Sequence, residues 1–142
     1  MNTRLNERFA QEPSLYRVAK DEPFLDFEFA RCSSCKGLTF PATAPGCQHC
    51  GVSLDGAERI ARAGCGELLE FVTIHVPLRP DMAAPSIAGD IRIADGVVQE
   101  GLLVVDEETQ LRHGMAVRAV AVPLPGGDYY ACRFVPVVEV PA

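Results

Sequence analysis

Two pairs of cysteines constrain this chain more than any other feature of its 142 residues. Cys32 and Cys35 form one Cys-x-x-Cys pair, Cys47 and Cys50 form another, and eleven residues separate the pairs. Four thiolates suit the tetrahedral coordination of Zn²⁺, and a two-residue gap lets a tight turn direct both sulfurs at one ion. The separation is slightly shorter than the usual zinc pattern, but a short hairpin spans it. The four cysteines therefore predict a structural zinc site.

Other uses of the same four cysteines stay open. They can form two disulfides, a redox-active pair or an iron site like that of rubredoxin, which the sequence excludes least well. The N-terminus carries no signal-peptide core, so we expect a cytoplasmic chain, in a reducing compartment where paired cysteines usually bind metal. His49 lies between two ligands of a complete site and is not expected to bind the ion. Cys65 and Cys132 fall outside the pattern and are expected to be small apolar residues.

Charge is distributed unevenly along the chain. The net charge is −6, from 13 basic and 19 acidic residues. Residues 1–65 carry eight of each sign, whereas residues 66–142 carry five basic and eleven acidic residues. An acidic C-terminal half argues against nucleic acid as a partner, because neutralising phosphates requires Lys and Arg. No apolar run reaches the length that spans a bilayer, so no membrane association is expected.

The N-terminal residues have the spacing of short helices. Leu5 and Phe9 are four residues apart and share one face of a helical turn, and Ser14 can cap a second segment that ends at Pro23. Such short helices do not stand alone in water. We therefore expect short helices in residues 1–23, within an N-terminal segment, residues 1–30, that packs on the body of the chain or docks on another subunit.

Residues 31–63 are predicted to form a rubredoxin-like zinc ribbon. Apolar residues alternate with acidic ones from Phe24 to Ala30, which is the period of a half-buried strand leading into the first cysteine pair. Leu38 to Phe40 is expected to be the strand that leaves that pair. Residues 57–63 allow a single helical turn or a strand-like linker. The glycine-punctuated residues 64–66 then mark a domain boundary.

Residues 64–142 are predicted to form a five-stranded OB-fold barrel, so the chain as a whole is mainly β. Asp95-Gly96 is a hairpin signal between two apolar runs, and residues 106–113 form a polar excursion, as a loop or one helical turn. Five strands with a longer excursion after the third fit an OB-type barrel, although a small sandwich or an incomplete barrel is an alternative. The predicted strands are Glu67 to Val76, Ile87 to Ile93, Val97 to Val105, Met115 to Leu124 and Tyr129 to Val138.

Five residues of this barrel are candidate ligand contacts. Arg92, Arg118 and Arg133 each lie in an otherwise apolar strand and can meet a phosphate. Tyr130 and Phe134 can stack on a ligand ring. The alternatives are that the arginines cover the solvent face of the barrel and that the aromatic rings pack in its core.

The sequence carries little that indicates catalysis. It has no nucleophile elbow, P-loop or dinucleotide-binding motif. A catalytic zinc needs an open coordination position, and four cysteines leave none. The metal is therefore expected to hold the fold rather than to perform chemistry.

The order of these parts resembles a known family. Phe40-Pro41 stands between the cysteine pairs, Leu-x-x-Gly-Met-x-Val spans Leu111 to Val117, and Phe-x-Pro spans Phe134 to Pro136. The last two motifs, in this order, are more specific than the cysteine pattern. With them the chain is similar, over nearly its whole length, to zinc-ribbon/OB-fold proteins that were first classed as a domain of unknown function and are now associated with acyl-CoA metabolism.

The resemblance implies a non-catalytic partner of a thiolase-fold enzyme. Members of the family occur beside acetoacetyl-CoA thiolases, in polyketide-type acyltransferase complexes, and with enzymes that shorten CoA-linked side chains of steroids or aromatic acids. By this likeness the N-terminal segment and the ribbon would dock on the catalytic subunit, and the barrel would help to hold the acyl-CoA. Two features depart from the pattern of the family. Lys36 follows the first cysteine pair, where the family more often has a glycine. The barrel is acidic, which does not favour binding of a polyanion such as CoA. A nucleic-acid-binding module, and a stand-alone enzyme or redox protein, are the other functions that stay open.

Overall fold

The computed structural model describes residues 9–10, 16–19, 23–77, 83–124 and 129–137. Within these ranges the chain forms ten strands in two sheets, and none of the helices found there is long and apolar enough to cross a membrane. In chain order the strands are β1 (Phe9–Ala10), β2 (Tyr16–Val18), β3 (Leu25–Arg31), β4 (Leu38–Thr39), β5 (Glu58–Ala63), β6 (Cys65–Ile74), β7 (Ser86–Ala94), β8 (Val97–Leu103), β9 (Ala116–Pro123) and β10 (Tyr129–Pro136).

Strands β6 to β10 close into a barrel. Strand β7 pairs antiparallel with β6 and β8, β10 pairs parallel with β8 and antiparallel with β9, and β9 returns antiparallel to β6. The parallel contact between the third and fifth barrel strands, with the fourth closing on the first, is the strand order of the OB fold. Closure pairs strand edges that would otherwise be open to other chains. The predicted five-stranded barrel is confirmed.

Two connections in the barrel also match the prediction. Asp95-Gly96 joins β7 to β8, and Gly96 has a φ of 70°, the left-handed conformation that such hairpin turns require. The polar excursion after β8 contains a single 3-10 turn, Glu108–Gln110. The side-chain oxygen of Gln110 accepts hydrogen bonds from the backbone N–H groups of Asp106 and Glu107, which satisfies donors at the start of that turn.

The second sheet is organised around β3. Strand β5 pairs with β3 over six residues, β2 pairs with its first half, and β4 pairs with its last two residues. The period-two pattern of β3 is realised, since Leu25, Phe27 and Phe29 are buried while the residues between them are half-buried. Residues 57–63, for which a helical turn or a strand-like linker was expected, contain a full strand, because six of them pair with the free edge of β3.

The predicted N-terminal helices are not found where the structure can test them. Phe9–Ala10 is a strand that pairs with β10, and Tyr16–Val18 is a strand that pairs with β3. Leu5 and Ser14 lie outside the described residues. Helical spacing over so few residues is a weak signal, because the first turn of a helix costs more than it gains. Open edges of β3 and β10 supply backbone partners that an isolated short helix lacks.

The two sheets share one hydrophobic core. Phe27 of β3 packs against Phe40, with ring centroids 5.4 Å apart, and against Phe134 of β10, at 6.1 Å. Backbone hydrogen bonds also cross at Gly64, whose N–H donates to the Leu25 carbonyl (2.9 Å) and whose carbonyl accepts from Ala119 (2.6 Å). A side chain at residue 64 would press on that same carbonyl, at 2.8 Å, so glycine is needed where the chain passes from one sheet to the other.

The boundaries at residues 30, 63 and 64 stay a prediction. The passage between the sheets falls at Gly64, between β5 and β6. Most of β3, however, lies in the proposed segment 1–30, and it is the central strand of the sheet that carries the cysteines. The strand that was expected from Phe24 to Ala30 is thus part of the ribbon sheet.

Because Phe27 joins the two sheets, Phe27→Ala should destabilise the whole chain. Its side chain is only 3% exposed, and removing a buried phenyl ring costs about 3–5 kcal/mol. Urea unfolding followed by circular dichroism should show one transition with that loss. Val72→Ala is the control, since Val72 is 59% exposed and its truncation should change stability by less than about 0.5 kcal/mol. Two separate transitions, of which Phe27→Ala shifts only one, would contradict a shared core.

Candidate metal centre

The first cysteine pair sits in a tight turn directly after β3. The Cys32 N–H donates to the carbonyl of Gly37 (3.0 Å), and the Lys36 N–H donates back to the carbonyl of Cys32 (3.0 Å). This turn brings Cys35 back beside Cys32. Lys36 has a φ of 66°, a left-handed conformation that costs a non-glycine residue about 1–2 kcal/mol.

The second pair repeats the same turn. The Cys47 N–H donates to the carbonyl of Val52 (2.8 Å), and the Gly51 N–H donates back to the carbonyl of Cys47 (2.9 Å). Gly51 has a φ of 81° and occupies the position that Lys36 holds in the first turn. In the first turn the residue with the left-handed conformation is therefore Lys36 and not the glycine that follows it, Gly37.

The four sulfurs converge on one point. The Sγ atoms of Cys32 and Cys50 are 3.6 Å apart, those of Cys35 and Cys47 are also 3.6 Å apart, and all four lie within 4.8 Å of one another. A tetrahedral ion with metal–sulfur bonds of about 2.3 Å requires sulfurs about 3.8 Å apart. The described residues can therefore hold a metal ion such as zinc with little rearrangement. A rubredoxin-type iron uses the same four-thiolate set.

Backbone amides surround the sulfurs. The N–H groups of Cys35, Gly37 and His49 donate to the Sγ atoms of Cys32, Cys35 and Cys47, at 3.5, 3.4 and 3.4 Å. Hydrogen bonds to sulfur stabilise the thiolate, the form that binds metal.

Two of the thiols are biased towards the thiolate. Backbone hydrogen bonds from Cys50 and then His49 lower the pKa of Cys47 to about 6. A backbone hydrogen bond from Cys35 lowers the pKa of Cys32. These shifts favour metal binding at neutral pH, because a thiol must lose its proton before it can coordinate the ion.

Cys50 is shifted the other way. A backbone hydrogen bond from Val52 lowers its pKa, but the neighbouring thiol of Cys32, together with desolvation, outweighs that effect and raises the pKa of Cys50 to about 11. Four like charges in one cage repel one another until a cation neutralises them. Metal binding should therefore release protons from this centre.

The residues between the second pair of cysteines tie the centre to the barrel. Gln48 Oε1 accepts a hydrogen bond from the Phe40 N–H, and Gln48 Nε2 donates to the carbonyl of Gly96 in the β7–β8 turn, both at 3.1 Å. His49 is not directed at the sulfurs, since its Nε2 lies 2.6 Å from the carbonyl oxygen of Leu38. A carbonyl only accepts, so this nitrogen carries the proton.

The five predicted ligand contacts of the barrel lie in three different parts of the structure. Tyr130 and Phe134 are 4% and 2% exposed and belong to the core, which is the alternative that the sequence left open for them. Burial raises the pKa of Tyr130. Arg92 and Arg118 line one groove, whereas Arg133 lines a different one beside the 3-10 turn. The structure thus brings two of the five together at an accessible surface.

The groove that holds Arg92 and Arg118 lies between the ribbon and the barrel. It has a volume of about 750 Å³, and the ribbon contributes two further cations to it, Lys36 and Arg62. Sequence reasoning missed both. Lys36 could have been noticed because it stands where the second turn has Gly51. Arg62 gave no signal, since its place depends on β5 being a strand.

Metal loading should depend on four cysteines and not on the other two. Cys32→Ser and Cys47→Ser each leave three thiolates and should weaken Co²⁺ binding and lower the sulfur-to-metal charge-transfer absorption of the Co²⁺-substituted chain. Cys65→Ser and Cys132→Ser are matched controls and should titrate with one Co²⁺ like the unaltered chain. Absorption spectra give the measurement, and full loading of Cys32→Ser, or loss of loading in Cys65→Ser, would contradict the site.

Gln48→Ala should loosen the attachment of the centre to the barrel. It removes two hydrogen bonds, so the free energy of unfolding of the metal-loaded chain should fall by about 1–2 kcal/mol. Ser34→Ala changes the corresponding segment of the first turn, where the Ser34 side chain makes no hydrogen bond with any described residue, and should stay within about 0.5 kcal/mol. Equal effects of the two substitutions in urea unfolding would show that Gln48 does not make this link.

Comparison with known proteins supports one family. No family model matches the chain. A chain of the solved Ltp2–ChsH2(DUF35) aldolase superposes with a TM-score of 0.62 and 26% sequence identity, over 79% of this chain and 85% of that one. A probable enoyl-CoA hydratase alpha subunit from Thermomonospora curvata is 30% identical over 87 residues, which is 61% of this chain. The chain spans about a quarter of that relative, 26% of its length.

The structural neighbour, the four converging cysteines and the closed five-stranded barrel agree with the motifs that first indicated a family. The resemblance to the zinc-ribbon/OB-fold family, of which a DUF35 component of an aldolase is a solved example, is thereby confirmed.

Proposed function

We propose that this chain is a non-catalytic, zinc-containing subunit that docks on a thiolase-type or aldolase-type catalytic subunit and helps to hold an acyl-CoA substrate. Its role is assembly and substrate positioning, in the degradation of CoA-linked side chains of aromatic or steroid acids. The observation that carries the proposal is the likeness over 79% of the chain to a component of the Ltp2–ChsH2(DUF35) aldolase, at a TM-score of 0.62.

A second likeness supports the link with acyl-CoA chemistry. A region similar to most of this chain occurs in a protein named as a probable enoyl-CoA hydratase alpha subunit. That region is about a quarter of the relative, so hydratase activity is not part of the proposal. The support is that an acyl-CoA enzyme subunit contains a stretch of this kind.

The geometry of the metal centre supports a structural role for the ion. Cys32 and Cys47 are buried and bonded by backbone amides, and four sulfurs complete a tetrahedral set. Such a set offers no open position for a substrate. The proposal therefore assigns the chemistry of the complex to the catalytic subunit.

The ribbon is the proposed docking surface, together with the N-terminal residues. Strand β5 pairs only with β3 among the described residues, and most of its side chains are exposed. An exposed strand edge can pair with a strand of another chain. A reducing, cytoplasmic setting belongs to the same proposal, because the centre needs its cysteines as thiolates.

Co-expression tests the proposal directly. The chain is produced together with a thiolase-fold protein encoded beside its gene, and the expected result is co-elution in size-exclusion chromatography and acyl-CoA turnover only by the pair. Cys32→Ser should lose both properties, because the ribbon does not close around a metal, while Cys65→Ser should keep them.

Three results would contradict the proposal. The pair could fail to associate, the isolated chain could turn over acyl-CoA by itself, or the chain could instead bind single-stranded DNA in a salt-dependent way. If the chain instead associates with a catalytic subunit of the polyketide acyltransferase type, its scaffolding role is unchanged and only the identity of the catalytic subunit differs.

A further inference from the structure

The groove between ribbon and barrel carries the opposite charge to the rest of the molecule. The chain has a net charge of −6, yet the groove lining has four basic residues against one acidic residue, Asp95. Arg92 is partly neutralised, since its guanidinium lies 3.3 Å from Glu67 and both side chains are about half exposed. Together the four basic residues of the lining favour anions in the groove.

Two of these cations are held in place by aromatic rings. The guanidinium carbon of Arg62 is 6.0 Å from the centroid of the Phe29 ring, and that of Arg118 is 4.7 Å from the Phe24 ring. Stacking of this kind restricts a long side chain. An arginine that is already ordered loses less entropy when it forms a bidentate contact to a phosphate.

Lys36 is the least expected member of the groove. It holds the left-handed position that Gly51 fills in the other cysteine turn, with a φ of 66°. Glycine would relieve this strain, so the lysine needs another reason to be there. Its ammonium donates one hydrogen bond, to the carbonyl of Ser33 at 2.9 Å, and has two further protons for a ligand.

The lining is not only basic. Leu38, which is half-buried, and Val137, which is exposed, also line the groove, and its volume of about 750 Å³ is in the range of small-molecule sites. Apolar walls beside a cluster of cations suit a molecule that has both a phosphate and an apolar part. Carboxylates of a protein partner would use the charges but not the concave shape.

We propose that this groove binds the phosphate groups of an organic phosphate, with Lys36, Arg62 and Arg118 as the contacts. This deepens the proposed function, on which it rests only for the expectation that the organic phosphate is a CoA ester. The acidity of the barrel as a whole is then no obstacle, because the ribbon supplies two of the cations. Arg133, in the other groove, takes no part.

Titration of the full, metal-loaded chain with three probes tests the site. Inorganic pyrophosphate, CoA and pantetheine, which lacks the phosphates, are added while the backbone amides of Gly37, Gly66 and Ala94 are followed by NMR. Pyrophosphate and CoA should shift these signals at millimolar concentration or below, and pantetheine should not. Tighter binding of CoA than of pyrophosphate would identify the apolar walls as part of the site.

Lys36→Gly separates a ligand contact from a structural role. It should weaken pyrophosphate binding by about tenfold, the effect of losing one charged hydrogen bond. The same substitution should raise the thermal midpoint by about 2–4 °C, because glycine accepts the left-handed conformation. Arg62→Gln should weaken binding to a similar extent. Arg59→Gln on the same strand, which removes an ion pair with Glu28 at 3.5 Å outside the groove, and Arg133→Gln should bind like the unaltered chain.

Several results would overturn the proposal. They are the absence of shifts with pyrophosphate and CoA, equal binding of pantetheine and CoA, unchanged binding by Lys36→Gly and Arg62→Gln, or binding of an acidic peptide in place of pyrophosphate. The titration uses this chain alone, whereas docking is measured by co-elution with the catalytic subunit. A failure of phosphate binding therefore leaves the docking proposal standing, and a failure of docking leaves the titration unaffected.

Discussion

The convergence of four thiols on one point is the constraint on which the ribbon depends. Apart from the core that β3 shares with the barrel, the ribbon has only a small apolar cluster, made of Ala30, Cys32, Ala42, Cys47 and Leu54. A cluster of this size buries too little apolar surface to offset the entropy of ordering two cysteine turns. Structural zinc contributes roughly 10–16 kcal/mol in zinc-finger peptides, which is more than such a cluster can supply.

The ordered cysteine turns also position two residues that interact outside the metal centre. Gln48 reaches the β7–β8 turn of the barrel because the second turn holds its backbone beside Thr39, whose hydroxyl accepts from the Gln48 N–H at 3.0 Å. Lys36 reaches the groove because the first turn holds it in a left-handed conformation. Both proposed roles, scaffolding and phosphate binding, therefore depend on a ribbon whose cysteine turns are held together by a metal ion.

The sequence predicted most of what depends on local chemistry. Cysteine spacing indicated the metal centre, and period-two alternation with Asp95-Gly96 indicated the barrel strands and one of their turns. What it missed depends on distant partners. Tyr16–Val18 is a strand because it pairs with β3. Glu58–Ala63, for which the sequence left a helical turn or a strand-like linker open, is a full strand for the same reason. Neither segment has residues that identify β3 as its partner. The groove cations come from the ribbon and the barrel together, so no single stretch of sequence could indicate them. The prediction from the barrel arginines alone also included Arg133, which lies in another groove.

Native-state hydrogen exchange of the zinc-loaded chain, before and after chelation, tests the central claim most directly. The amides of Gly37 and His49, which are bonded to sulfur, should lose their protection when the metal is removed. Amides of β7 and β8 within the barrel should stay protected. Unchanged protection of the ribbon amides in chain shown to be free of metal would mean that the four sulfurs do not hold this structure together.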